Sequence, residues 1–252
     1  MGHMIRQSFI FLEKVGKKKE QSFWKQGIKD WQSFLLKEKI EGISTKAKAV
    51  YKRKIQEAQQ ALLEENSSFF VGKNPAKEMW RLYEQFKEDA GFLDIEAGSR
   101  GEVTVVGISN YYETKHLVKG FNLEKEILEK ALASFKLLIT FNGGAFDLPK
   151  LRKEFGIEVN VPHVDLKPLC VNLGLKGGLK EVERILELKR PGHLYGNPVE
   201  LWKAFHASGD KEYLDLLLHY NAEDCENLKR VMEYCWERMK RKTFIDQKDF
   251  KQ

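Results

Sequence analysis

The chain has 252 residues, 42% hydrophobic and 32% charged, with a formal net charge of +6. That apolar content suffices for one large domain, or one domain with a small appendage, and no apolar run approaches the ~20 residues of a membrane-spanning helix, so no membrane partner is expected. The three cysteines include no C-x-x-C pair, which argues against a disulfide framework or zinc site and favours a reducing, cytoplasmic setting.

No signal-peptide pattern opens the chain. Met1-Gly2-His3 reads as an expression scar (residues 1–3), so the natural chain is expected to begin at Met4. Residues 4–43 form a small helical module. Phe23, Trp24, Ile28, Trp31, Phe34 and Leu35 follow helical spacing, broken by a turn at Gly27. The Val15-Gly16-Lys17 turn resembles a degenerate helix-hairpin-helix, lacking its second glycine because Lys18 occupies that place; a packing module is the plainer alternative. Residues 44–90 read as a charged helical arm and linker. Ser44 is the N-cap of a helix running to about Glu65, a second helix spans Pro75 to Lys87, and 66–74 links them. Lys46, Lys48, Lys52, Arg53 and Lys54 make the arm basic, as a solvated face or as one wall of a nucleic-acid groove.

From Gly91 the pattern turns to strands at Phe92–Glu96, Glu102–Ser109 and Tyr112–Val118, close enough together for an antiparallel meander. A helix over Leu123–Ser134, a strand at Leu137–Phe141, a helix over Phe146–Phe155 and a strand near Val161–Val164 follow. The rest is helical: Asp165–Leu173, Leu179–Leu188, Pro198–Ser208 and Lys211 to about Arg241. The expected architecture is α/β, with a mixed sheet of three antiparallel and two parallel strands flanked by helices. The main domain spans 91–241 and a tail 242–252.

Three stretches carry carboxylates in unusual settings. Asp94 and Glu96 alternate with apolar residues on a strand, so they share a face. They are either two solvated acids on an edge strand or the first two ligands of a divalent metal. Asp147 follows the strand-ending Asn142-Gly143-Gly144 at a helix start, as a helix cap or as a ligand. Tyr220 and Asp224 lie one helical turn apart, as an ordinary hydrogen-bonded pair or as a ligand with a phenol beside it.

In this order, the Asp-x-Glu of Asp94 and Glu96, the Asn-x3-Phe-Asp of Asn142 to Asp147 and the Tyr-x3-Asp of Tyr220 and Asp224 resemble the DEDD superfamily of 3′→5′ exonucleases. The resemblance covers about Gly91 to Trp236. It is nearest to the YprB-like branch and its archaeal relatives, in which His163-Val164-Asp165-Leu166, Leu201-Trp202 and Gly209-Asp210 look like fold markers. His219 and Asp224 also satisfy the His-x4-Asp of the histidine subfamily. Residues four apart on a helix differ by about 40° and residues five apart by about 140°, so a helix already formed upstream turns His219 away and selects Tyr220, the tyrosine (DEDDy) type.

The resemblance implies a ribonuclease H-like fold and two-metal-ion hydrolysis, with Asp94, Glu96, Asp147 and Asp224 holding two Mg²⁺ or Mn²⁺ ions. Tyr220 would orient the attacking water. Nucleoside 5′-monophosphates would leave the 3′ end of single-stranded DNA, a chemistry of DNA repair. Ala97 and Gly98 stand where the family more often has small hydroxyl residues, so contacts there to the terminal sugar would come from backbone. Asn142, Phe146, Lys150, Lys176 and Lys180 are the other candidates for substrate contact, with Arg152, Lys153 and Tyr195 nearby; each cation could equally be a solvated surface charge, and Phe146 and Trp202 could simply pack. RNA trimming by the same site, or an inert nucleic-acid-binding module, are the rival readings, and a homo-oligomer is compatible with the sequence.

Overall fold

The structure, a computed structural model, describes residues 4–188 and 197–248, with side chains described through Thr243. The N-terminal part carries α1 (Lys17–Lys25), α2 (Trp31–Leu36) and α3 (Thr45–Leu63). Asp30 caps α2 in a reciprocal box with Ser33, and the Ser44 hydroxyl accepts from Ala47 N–H to start α3, as expected of that serine.

Two expectations change here. The 66–74 linker contains a 3₁₀ turn, Ser67–Phe70, that buries Phe70 edge-on to Phe11. In place of one helix from Pro75 to Lys87 the chain makes 3₁₀ turns over Ala76–Leu82 and Lys87–Asp89, around a single α turn, α4 (Tyr83–Phe86). The three-residue 3₁₀ repeat eclipses Glu78 and Arg81. Their ion pair, 2.9 Å from Arg81 Nε to Glu78 Oε2, is almost wholly buried, with Glu20 on the other side of the guanidinium at 3.0 Å. Lys17, beside the Gly16 turn, points at the same network and pairs with Glu78 at 3.0 Å.

The sheet comprises β1 (Ala90–Ala97), β2 (Val103–Ser109), β3 (Thr114–Val118), β4 (Leu137–Thr140) and β5 (His163–Asp165), in the order β3-β2-β1-β4-β5. The first three strands form the expected antiparallel meander, and β4 and β5 add in parallel. The crossovers carry α5 (Lys125–Ala133) and α6 (Asp147–Phe155), and α7 (Leu166–Asn172), α8 (Leu179–Ile185), α9 (Pro198–Ser208) and α10 (Lys211–Lys248) follow. Helix α10 runs past Arg241 because no glycine or proline stops it.

Strand β1 divides two packed layers. Leu93 and Ile95 face a cluster with Leu128 of α5 and Leu151 of α6. Phe92, on the opposite face with Asp94 and Glu96, packs with Leu228, Val231 and Met232 of α10. That second cluster is continuous with the N-terminal region, taking in Phe9, Phe23, Phe34, Ile55 and Trp80 together with Met239. No helix among the described residues is long and apolar enough to cross a membrane.

Candidate metal centre

Helix α10 buries a stripe at Leu217, Asn221, Asp224, Cys225, Leu228, Met232, Cys235 and Met239. The three- and four-residue steps are those of a core-facing helix, and the polar Asn221 and Asp224 lie in it where it crosses β1. Asp94, Glu96 and Asp224 meet there, each offering a carboxylate oxygen, all within 4.8 Å of one another. A register shift between Glu96 and Ala97 ends regular β1–β2 pairing just beyond the second acid.

Such a set is costly as anions. Desolvation first, then Asp224, Glu96 and Asp147, push the Asp94 carboxyl well above the usual carboxylate range, and only a hydrogen bond from Asn221 pulls it down. The thiol of Cys225, directly behind, is held protonated by burial and then by Asp94 and Asp224. The donors are therefore all oxygens, the set preferred by hard divalent cations rather than zinc. The arrangement can hold such a cation, and an ion would relieve the repulsion.

Asp147 stands beside this trio rather than within it. As the first residue of α6 it does not act as the N-cap, a position taken by Phe146 with no side-chain bond. Parallel pairing of β1 with β4 ends at Phe92, and Asp147 Oδ1 accepts from the backbone N–H of Ile95 beyond it, at 3.2 Å. Burial raises its carboxyl to about 7, against the lowering effect of these backbone bonds.

The loop before Asp147 is braced from β5. Asp165 Oδ1 accepts from Asn142 N–H at 2.8 Å and its Oδ2 from Gly144 N–H at 3.1 Å. His163 Nε2 lies 2.8 Å from the Thr140 hydroxyl, which accepts from Gly143 N–H at 3.1 Å. Asn142 has φ 65°, a left-handed position that asparagine tolerates. A Cβ on Gly143 would fall 2.1 Å from Thr140 Oγ1, so that glycine is obligatory. His163 and Asp165, read in the sequence as fold markers, thus shape the turn that delivers Asp147.

Tyr220 is buried, with the Lys180 ammonium 4.8 Å from its ring centroid. His219 is exposed and lies toward His116 of β3, whose imidazole is held below its usual range by burial and then by His219. The helical phase argued from the sequence is the one observed. Phe146 is half exposed beside Asp147, with Lys150 Nζ 5.0 Å from its ring; that ammonium also donates to the Gly101 carbonyl. The N–H of Gly98 is already committed to the Glu102 carbonyl at 2.8 Å. Lys176 is exposed on the loop leading into α8, and Arg152 pairs with Glu158 at 3.0 Å. Trp202 is buried with Val105, Val118 and Leu217, and Tyr195 lies outside the described residues. Two residues at the site, Asn221 and Gly107, carried no functional reading in the sequence. The signal for Asn221 was available, as a polar residue four positions from both Leu217 and Cys225 in the buried stripe.

Comparison with curated proteins gives no match. The family RNase_H_2, of the RNase_H superfamily, matches residues 91–236. The matched segment begins next to the first residue of β1, ends within α10 and encloses every carboxylate of the site. With more than half of its length covered by that match, and with the five-stranded mixed sheet that the superfamily implies, the chain belongs to the RNase_H superfamily.

Proposed function

We propose that the protein is a divalent-metal-dependent 3′→5′ exonuclease that hydrolyses single-stranded DNA from its 3′ end and releases nucleoside 5′-monophosphates. The observation that carries the reading is the convergence of Asp94, Glu96 and Asp224 within 4.8 Å, with the buried phenol of Tyr220 one helical turn from Asp224.

In this reading Asp94, Glu96, Asp224 and Asp147 hold two Mg²⁺ or Mn²⁺ ions, and Asp147 turns toward the site from its bond to Ile95. When bound, the ions supply the Lewis acidity that lowers the pKa of water and neutralises charge on the phosphodiester. Tyr220 orients the attacking water by hydrogen bonding; an ordinary phenol, with a pKa near 10, is a weak base at neutral pH. Lys180, whose ammonium lies 4.8 Å from the Tyr220 ring centroid, meets the substrate phosphates. Phe146, half exposed next to Asp147, offers a stacking face to the terminal base.

The test is a time course on 3′-labelled and 5′-labelled single-stranded DNA in Mg²⁺, Mn²⁺ or EDTA, beside Asp94→Ala and a matched RNA. Early metal-dependent release of the 3′ label as mononucleotide, lost in Asp94→Ala, is the expected result. Faster release from RNA would reassign the polymer. Absence of cleavage in either metal would overturn the enzyme reading in favour of a binding module.

A further inference from the structure

Asn221 is fully buried, yet one of its polar atoms has no partner. Its Nδ2 lies 2.8 Å from Asp94 Oδ2 and 3.4 Å from the Asp94 carbonyl oxygen, whereas its Oδ1 is buried without a hydrogen bond. An unsatisfied buried acceptor is destabilising, and an apolar side chain of similar size would pack at this point of α10 without that cost. Stability alone therefore does not account for an amide here.

Strand β2 is also shaped to receive it. Gly107 pairs directly with Asp94 in the β1–β2 register. A Cβ at Gly107 would stand 1.8 Å from Asn221 Oδ1 and 3.0 Å from Cys225 Sγ. Glycine weakens a strand interior and marks a close approach by another group. Here the approaching group is the Asn221 amide. The backbone at Gly107 needs no left-handed conformation, so the missing side chain is the whole reason for the residue.

The chemistry of the amide fits the task. As a metal ligand Asp94 is an ionised carboxylate, which can only accept, so Asn221 presents its N–H groups to it. Both acceptors belong to one residue, so the amide fixes the Asp94 side chain relative to its own backbone. Aspartate at 221 would add a further anion to the set, and lysine would compete with a metal ion. The neutral donor orients the ligand and leaves the charge of the site unchanged.

We propose that Asn221 is a positioning residue for Asp94, seated in a vacancy that Gly107 provides, and that together they set the affinity of the site for its divalent ion. This inference rests on the metal-centre reading given above. Hydrogen-bond partners of metal ligands typically change affinity ten- to a hundredfold when removed.

The experiment measures, for the full chain, the Mn²⁺ concentration giving half the metal-induced rise in melting temperature and, in parallel, half-maximal turnover of an oligonucleotide. Asn221→Ala and Gly107→Ala are each expected to raise both midpoints at least about tenfold, with KM for the oligonucleotide at saturating Mn²⁺ little changed. The double variant is expected to stay within about twofold of Asn221→Ala, because the added methyl no longer meets the amide, which makes the pair non-additive. Asn227→Ala, buried six residues further along α10 and bonded to Glu223 at 3.4 Å, should keep wild-type midpoints and so controls for packing. A wild-type Mn²⁺ midpoint in Asn221→Ala overturns the inference and leaves the metal centre standing. If Asn221→Ala does not fold, Gly107→Ala decides by the same criterion. A wild-type protein that gives no Mn²⁺-induced shift overturns the metal centre and this inference together.

Discussion

Asp147→Asn replaces a buried carboxyl by its neutral isostere while keeping an oxygen to accept the Ile95 N–H. Burial raises the carboxyl from 3.8 in the unfolded chain to about 7 in the fold. A raised folded value means that the unfolded state loses its proton first. Relative stability is therefore intact below about pH 4, declines from there to about pH 7 and stays at its lower level above. The interval of roughly 3 units, at 1.36 kcal/mol each, sets an upper bound of about 4 kcal/mol on the penalty. For a chain of this size each kcal/mol moves the melting temperature by about 2–4 °C. In EDTA at pH 8, Asp147→Asn should melt up to about 8–16 °C above the wild type, and the two should converge by pH 4. Added Mn²⁺ should narrow or reverse the gap, since the wild type retains the ligand that the variant lacks. Melting curves by circular dichroism across pH 4–8, with and without Mn²⁺, measure all three effects. A variant no more stable than wild type at pH 8 in EDTA, or one whose advantage persists at pH 4, would refute the reasoning.

Three further predictions follow from the same geometry. Tyr220→Phe should lower kcat by up to about a hundredfold with the fold retained, whereas His219→Ala, on the exposed face of α10, should stay within about twofold of wild type, as steady-state kinetics would register. Arg81→Met should destabilise the fold by about 3–5 kcal/mol in urea titration, because it leaves Glu20 and Glu78 buried without the guanidinium between them; adding Glu20→Gln and Glu78→Gln should recover much of the loss. Lys180→Ala and Phe146→Ala should raise KM for an oligonucleotide more than they lower kcat, and the Lys180 effect should shrink as salt is raised.

Features set by local periodicity could be read before the fold was known. Asp94 and Glu96 share a face because strands alternate, and Tyr220 with Asp224 because a helix repeats near four. The antiparallel meander followed from its short gaps and the mixed sheet from the helices alternating with the later strands, whereas the strand order came only with the fold. Features that depend on where another element stops were beyond reach. Asp147 turns to Ile95 because β1–β4 pairing ends at Phe92, and nothing near residue 147 encodes that. The bond from Asn221 to Asp94 spans 127 positions, and Gly107 in the sequence is only a glycine in an apolar run. The 3₁₀ path over Ala76–Leu82 was missed because a periodic apolar pattern predicts an α-helix, while the choice here depends on Arg81 reaching Glu20, 61 positions away.

Helix α10 ties two distant fittings to one rigid rod. In its first half Asp224 joins Asp94 and Glu96, and toward its far end Met239 is buried in the shared core while Lys240 pairs with Glu84 at 3.1 Å. The 19 positions between Tyr220 and Met239 span roughly 28 Å at the rise of an α-helix. Inserting or deleting one residue in that interval would rotate one fitting against the other by about 100°, so either the acids or the core would lose their partners. A seven-residue change turns the helix by only about 20°, but shifts one end by two full turns. Lineages carrying this domain should therefore vary α10 by substitution and hold its length fixed over this interval, leaving insertions to the surface turns between strands.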